Sequence, residues 1–311
     1  MVMSPELAGA MFAFICYAFW FWGIEVISRP TYASKPWKED LKLVFAGLEK
    51  LFEIKVTDSC SHHVPITPGH TISTDPPLYT AEEVAKVMCG DLYWQSPLTV
   101  IVSASRKNNM YAMPLTSANK DLQARYDGAA SGKYNWSFIF DHIFSYGHDI
   151  QSVARLGFGA EGYKPCLKYL STSYIQLVNL LGTIEFRRLG GADSAKKAEH
   201  HIVFMLAHFM ESMYHDQWKR RASTTRLPSV DAYIAALVWG RMEALPERSR
   251  LPGNVFKTWL EKMKANNVGA QPTENPNNKK EFRVSAEQFE LKTPWAITED
   301  EEKRHLPTAA K

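Results

Sequence analysis

The sequence lacks a paired-cysteine framework. Its four cysteines, Cys16, Cys60, Cys89 and Cys166, are scattered without a repeating interval. That excludes a disulfide-stapled secreted scaffold and fits a reducing compartment. A large excess of either charge is also missing: 36 Lys and Arg against 33 Asp and Glu leave a net +3, too little to argue for nucleic acid as a partner. There are no internal repeats, so solenoids and propellers are set aside. No Lys or Arg precedes Arg29, whereas a secretory leader begins with a basic segment and a transit peptide is rich in Arg. No G-x-S-x-G elbow and no pair of zinc knuckles occurs.

What the sequence does contain is one long apolar run, Leu7–Ile27 (LAGAMFAFICYAFWFWGIEVI), whose formal charge is Glu25, near its end. About 20 helical residues cover the ~30 Å hydrocarbon core of a bilayer, so the run is expected to form one transmembrane helix. Basic residues follow it (Arg29, Lys35, Lys38, Lys42) and none precedes it. The positive-inside rule then puts the N-terminus outside and the rest of the chain on the matrix or cytoplasmic side. Trp20, Trp22, Tyr32 and Trp37 suit an interfacial aromatic belt. Glu25 is placed to reach water or a partner helix.

Beyond the run the pattern is mainly helical. Trp37, Leu41, Val44, Phe45, Leu48, Leu51 and Phe52 recur at helical spacing after Pro36, which predicts an amphipathic helix over Pro36–Val56. Residues 57–77 read as a polar loop. Thr80 and Glu83 form a capping box that opens a helix over Ala81–Trp94. The β-branched stretch Pro97–Ser105, with Asn109–Leu115, reads as a small β-hairpin. Helices are expected near 119–129, 134–146 and 149–157. Two long ones, Tyr163–Leu189 and one from Asp193 or Ser194 to about Arg221, should form an antiparallel αα-hairpin about Gly190 and Gly191. Ser229 or Asp231 opens a further helix to about Leu245, and Gly253–Asn266 holds a shorter one. From 267 the chain turns polar and aperiodic. The expected fold is therefore mainly α: a transmembrane helix (1–28), a juxtamembrane amphipathic helix and loop (29–77), a helical-bundle-like domain with a small β-hairpin (78–266), and an extended polar tail (267–311).

Four constellations could carry chemistry. His201, His208 and His215 are spaced by seven, with Glu211 between the last two. Imidazole and carboxylate on one helix face can ligate Zn or Fe, but seven residues rise about 10.5 Å, too far for adjacent histidines to share an ion. The spacing favours a polar stripe packed on neighbouring elements. Cys60, His62, His63 and His70 cluster loosely in a loop. Gly157, Gly159 and Gly162 match G-x-G-x-x-G, yet no buried parallel strand precedes them. His142 and His148, beside Asp141 and Asp149, have no nucleophile in context.

With no catalytic signature, the anchor carries the functional expectation: a non-catalytic accessory subunit of a large membrane complex, with a mitochondrial inner-membrane respiratory or ATP synthase assembly favoured. Its expected partners are other subunits and lipid, through Trp20, Trp22, Glu25 and Trp37; no cofactor is implied. Two alternatives remain. One is a membrane-anchored metal-dependent enzyme built on His201, His208, Glu211 and His215. The other is a tethered scaffold for soluble partners.

Overall fold

Pro36 starts the first helix where its missing N–H costs nothing. α1 runs Trp37–Leu51. A computed structural model describes residues 12–14, 23–28, 31–33, 35–58, 60–67, 79–107, 109, 112–157, 170–178, 182–214, 218–245 and 251–269. Several helices form where the pattern placed them. α2 (Ala81–Tyr93) opens on the expected capping box, with the Thr80 hydroxyl accepting from Glu83 N and the Glu83 carboxylate accepting from Thr80 N at 2.8 Å. α5 (Lys120–Ala130), α6 (Ser137–Phe144) and α7 (Ile150–Leu156) follow the predicted succession. α11 (Val230–Ala244) is capped by Ser229, and α12 spans Gly253–Asn267.

The β structure lies elsewhere than expected. The stretch read as a hairpin forms two helices, α3 (Gln95–Ile101) and α4 (Ala104–Lys107). Pro97 falls in the first turn of α3, where a proline breaks no helical hydrogen bond, and the Thr99 hydroxyl bonds back to Gln95 O at 2.7 Å. Strand propensity is a statement about packing surfaces and yields to them. The loop expected over 57–77 contains a strand, β3 (Ser61–Ile66). The long helix expected over Tyr163–Leu189 does not form in its described part. That part holds β4 (Thr172–Ser173), the single turn α8 (Ile175–Val178) and β5 (Ile184–Gly190).

Gly182, at φ +67°, takes a left-handed conformation that ends any continuous helix there. The three strands make an antiparallel sheet in the order β3-β5-β4, with Ser61 opposite Gly190, Ile66 opposite Ile184 and Thr172 opposite Phe186. The αα-hairpin is thus replaced by a strand-to-helix connection through Gly191.

That connection leads into α9 (Ala195–Tyr214), the central helix, and then α10 (Trp218–Ala222). α1, α2, α11 and β3 all pack on α9. The closest approaches are made at glycines. A Cβ on Gly240 would lie 2.1 Å from Ala207 O, and one on Gly90 would lie 2.1 Å from Ser212 Oγ. These two positions draw α11 and α2 against α9 more tightly than any larger residue permits. The described part of 29–77 joins this same body: Trp37 and Leu41 are buried, and β3 lies beside β5.

The expected transmembrane helix is not supported. In the described part of the apolar run, Phe12–Phe14 (β1) and Gly23–Glu25 (β2) are strands paired antiparallel, Phe12 opposite Glu25 and Phe14 opposite Gly23. No helix among the described residues is long and apolar enough to cross a membrane. The run is rich in Phe, Trp, Tyr and Ile, residues equally at home in strands, and a continuous apolar stretch has no period to separate the two states. Trp20 and Trp22 lie outside the described residues, as does the polar tail from 270 onward.

Gly240→Ala should force α11 away from the Ala207 carbonyl. A loss of about 1–3 kcal/mol is expected from such overpacking, read as a lower urea midpoint at unchanged m-value; an unchanged midpoint would show that the two helices are not held at this distance.

Candidate functional site

Asp91 carries a carboxylate on the apolar stripe of α2, in step with Val84 and Met88. A charge on that stripe must be paired on folding, and its partners come from three other segments. His208 Nε2 on α9 lies 2.8 Å from Asp91 Oδ1. The Tyr174 hydroxyl, between β4 and α8, donates to Asp91 Oδ2 at 2.5 Å. On the far side of the imidazole, the Tyr233 hydroxyl of α11 is 2.9 Å from His208 Nδ1. One assignment satisfies every atom: Tyr233 donates to Nδ1, a neutral His208 donates from Nε2, and an ionised Asp91 accepts twice. Burial, and then the nearby carboxylates, push the Tyr174 and Tyr233 phenols well above their ordinary range, so both keep their protons.

A second buried pair lies one turn further along α9. Glu211 is fully buried; its Oε2 accepts from Trp94 Nε1 at 2.6 Å and its Oε1 accepts from Arg221 Nη2 of α10. The Arg221 guanidinium is boxed by the rings of Tyr93, Trp94 and Trp218, at 5.3, 5.0 and 5.1 Å from their centroids. Trp94 in turn stacks on Tyr233 at 5.0 Å. The relay and the ion pair therefore share one aromatic wall.

The residues proposed as a metal set diverge. His208 turns to Asp91 and Tyr233, while Glu211 turns to Trp94 and Arg221. His201 faces β3, where His62 Nδ1 lies 3.4 Å from His201 Nδ1, and Trp259 of α12 closes over both His200 and His201. His215 lies outside the described residues. Among the described residues no three His, Cys, Asp or Glu side chains converge as a metal would need. His201, His208 and Glu211 each meet protein neighbours on other elements. The other candidates are likewise occupied: His63 pairs with Glu185 at 3.1 Å and with Ser61 at 2.6 Å, and His142 with Asp121 at 3.0 Å. Asp149 caps α7. Gly157 ends α7, and Gly159, Gly162 and His70 lie outside the described residues.

Of the partner-contact residues, Trp37 is corrected. It is 3% exposed and belongs to the core, because α1 turns its first apolar residues onto α9 instead of a lipid boundary. Glu25 is seen through its backbone, paired with Phe12 in β1.

A histidine between a hydroxyl and a carboxylate has the connectivity of a general-base relay. Here all three groups are closed off from solvent by the described residues: His208 is 1% exposed, and Tyr174 and Tyr233 are 0%. The arrangement holds four segments together and gives α9 one rotational setting. Its one sequence signal was Asp91 on an apolar stripe; nothing distinguished Tyr174 and Tyr233 from other aromatics. No family model, no curated protein and no solved structure matches the chain.

Glu211→Gln leaves the Arg221 charge buried without a carboxylate and should cost about 3–5 kcal/mol, while Tyr174→Phe removes one donor to Asp91 and should cost about 1–2 kcal/mol. Chemical denaturation of the two variants separates these values, and equal small effects would mean that the pair is solvated.

The facing imidazoles set a pH dependence. Burial, then His63, lowers His62 to about 4, and burial, then His62, holds His201 well below its usual value. The unfolded chain protonates these groups near pH 6.5 while the folded chain resists. Their contribution is fully present above pH 6.5 and is lost as pH falls toward 4. His62→Gln should flatten that slope in unfolding curves taken between pH 7 and 4.

Proposed function

We propose that the protein is a non-catalytic accessory subunit of a larger membrane-associated assembly, with the apolar N-terminal side as its attachment. The observation that carries this reading is where uncovered apolar surface gathers. Val26 and Ile27 are 45% and 67% exposed, and on α1 Leu43, Leu51 and Phe52 are 71%, 75% and 37% exposed. A Cβ placed on Gly47, between Leu43 and Leu51, would meet nothing within 4 Å. The exposed half of α1 is the next helical surface in the chain after the apolar run Leu7–Ile27. Clustered exposed apolar residues of this kind mark interaction surfaces.

The chemical side chains point the same way. The protein spends its buried His, Asp, Glu and Tyr groups on one another, and a metal-dependent reading would need His208 and Glu211 to abandon four hydrogen-bond partners. In the basic flank, Lys38 is taken up by Glu199 at 2.8 Å, while Arg29, Lys35 and Lys42 support a matrix or cytoplasmic placement of the folded part beside anionic lipid. Other subunits and the lipid surface are the partners this reading implies. A mitochondrial inner-membrane complex is one setting with these requirements.

Mild detergent extraction of the native protein is expected to recover it in an assembly several times larger than the monomer, on a density gradient or native gel. Leu43→Lys with Leu51→Lys should shift it toward the monomer without changing its unfolding midpoint. Recovery of the unaltered chain as a stable monomer in detergent-free buffer would overturn the proposal.

A further inference from the structure

Arginine is almost never fully buried unless it is paired, and this protein buries two against neutral acceptors. Arg106 of α4 and Arg188 of β5 are 1% and 2% exposed. Arg106 covers the part of β5 that β4 leaves open, on the side where β4 has yet to begin at Thr172. Its Nη2 donates to Arg187 O at 2.7 Å and its Nε to Arg188 O at 3.4 Å. Arg188 donates to Ala112 O at 3.1 Å and to the Thr99 hydroxyl at 2.8 Å.

Neither guanidinium meets a carboxylate among the described residues. Asp91 and Glu211 are committed to the relay and to Arg221, and Glu185 is held by His63 and by Arg187 at 3.3 Å. Arg106 Nη1 and Arg188 Nε are buried and have no acceptor among the described residues. Burial first, and then a neighbouring guanidinium (Arg187 for Arg106, Arg106 for Arg188), lowers both to about 10.

Two desolvated cations with spare donors and no counter-charge are a combination that a bound anion resolves. We propose that Arg106 and Arg188 form a binding site for a small phosphate-type oxyanion, either free phosphate or the terminal phosphate of a small phosphomonoester. Two uncompensated charges match a phosphate near its dianionic form. Guanidinium N–H groups suit its oxygens in geometry as well as charge. Burial selects a single small group, since both ends of a phosphodiester must leave the site along a strand. This site is separate from the relay and from the N-terminal surface, and it holds whether or not the protein is a subunit.

The test is thermal unfolding of the full chain titrated with inorganic phosphate at constant ionic strength, with chloride as the control. Phosphate should raise the midpoint by several degrees in a saturable way, as ligands of the native state do, and chloride should not. Arg106→Met, checked for folding by circular dichroism, should weaken the phosphate response at least tenfold, with Arg106→Lys between the two. Native mass spectrometry of the unaltered protein should show one phosphate adduct that Arg106→Met loses.

An oligonucleotide carrying only internal phosphodiesters is expected not to compete, whereas a nucleoside monophosphate should. Competition by the diester would overturn the small-ligand assignment. Equal responses to phosphate and chloride, or an Arg106→Met protein that binds phosphate as the unaltered one does, would overturn the site itself. So would an Arg106→Met protein that is simply more stable, when neither it nor the parent responds to phosphate.

Discussion

The hydrogen bonds on the two sides of the His208 imidazole are the constraint from which the helical body is built. A carboxylate on the apolar face of α2 could not enter a dry core alone; the cost of desolvating it exceeds what its neighbouring apolar contacts return. It enters because α9 supplies an N–H, α11 supplies a hydroxyl to the opposite nitrogen, and the segment before α8 supplies a second hydroxyl. Each partner is on a different element, so the relay forms only when all four are in place. Gly90 and Gly240 make that geometry reachable, by letting α2 and α11 come close enough for side chains of ordinary length to meet at one imidazole.

The same logic runs along the rest of α9. Glu211 is tied to Arg221 and Trp94, and His201 is set against His62. Such groups leave a helix little freedom to rotate or slide, because a shift of one residue would leave several of them buried and unpaired at once. Polar contacts of this kind specify an arrangement more than they strengthen it. The aromatic wall of Tyr93, Trp94, Trp136 and Trp218 supplies much of the apolar burial around them. Set against this interior, the exceptions are the exposed leucines of α1 and the buried pair Arg106 and Arg188, which meet no carboxylate among the described residues.

Much of the fold could be read from local chemistry. The capping box at Thr80 and Glu83, the Ser229 cap and the helical spacing after Pro36 are signals carried within one turn, and each element formed where those signals put it. The polar character of the histidine stripe was also legible, since a seven-residue interval keeps His201 and His208 too far apart on one helix to share an ion. Periodicity failed where burial runs on more than one side. Ile184, Phe186 and Leu189 suit a helix face or a central strand, and the choice fell to β3 on one side and β4 on the other. Pro97–Ser105 erred in the opposite direction, because β-branched residues that look extended in isolation pack equally well as α3 once Arg188 and α12 lie beside them.

What the sequence by itself determined is a mainly helical body, the position of its capped helices, four cysteines without a pairing framework and one exceptional apolar run at the N-terminal side. The tertiary structure alone decided which polar residues meet. Asp91, Tyr174, His208 and Tyr233 are separated by as many as 142 positions, and no local pattern links them. Their association follows from the approach of helix backbones at two glycines. Likewise, Arg106 and Arg188 are ordinary basic residues in the sequence and become a charged pair without a counter-ion only when α4 closes over the open end of β5.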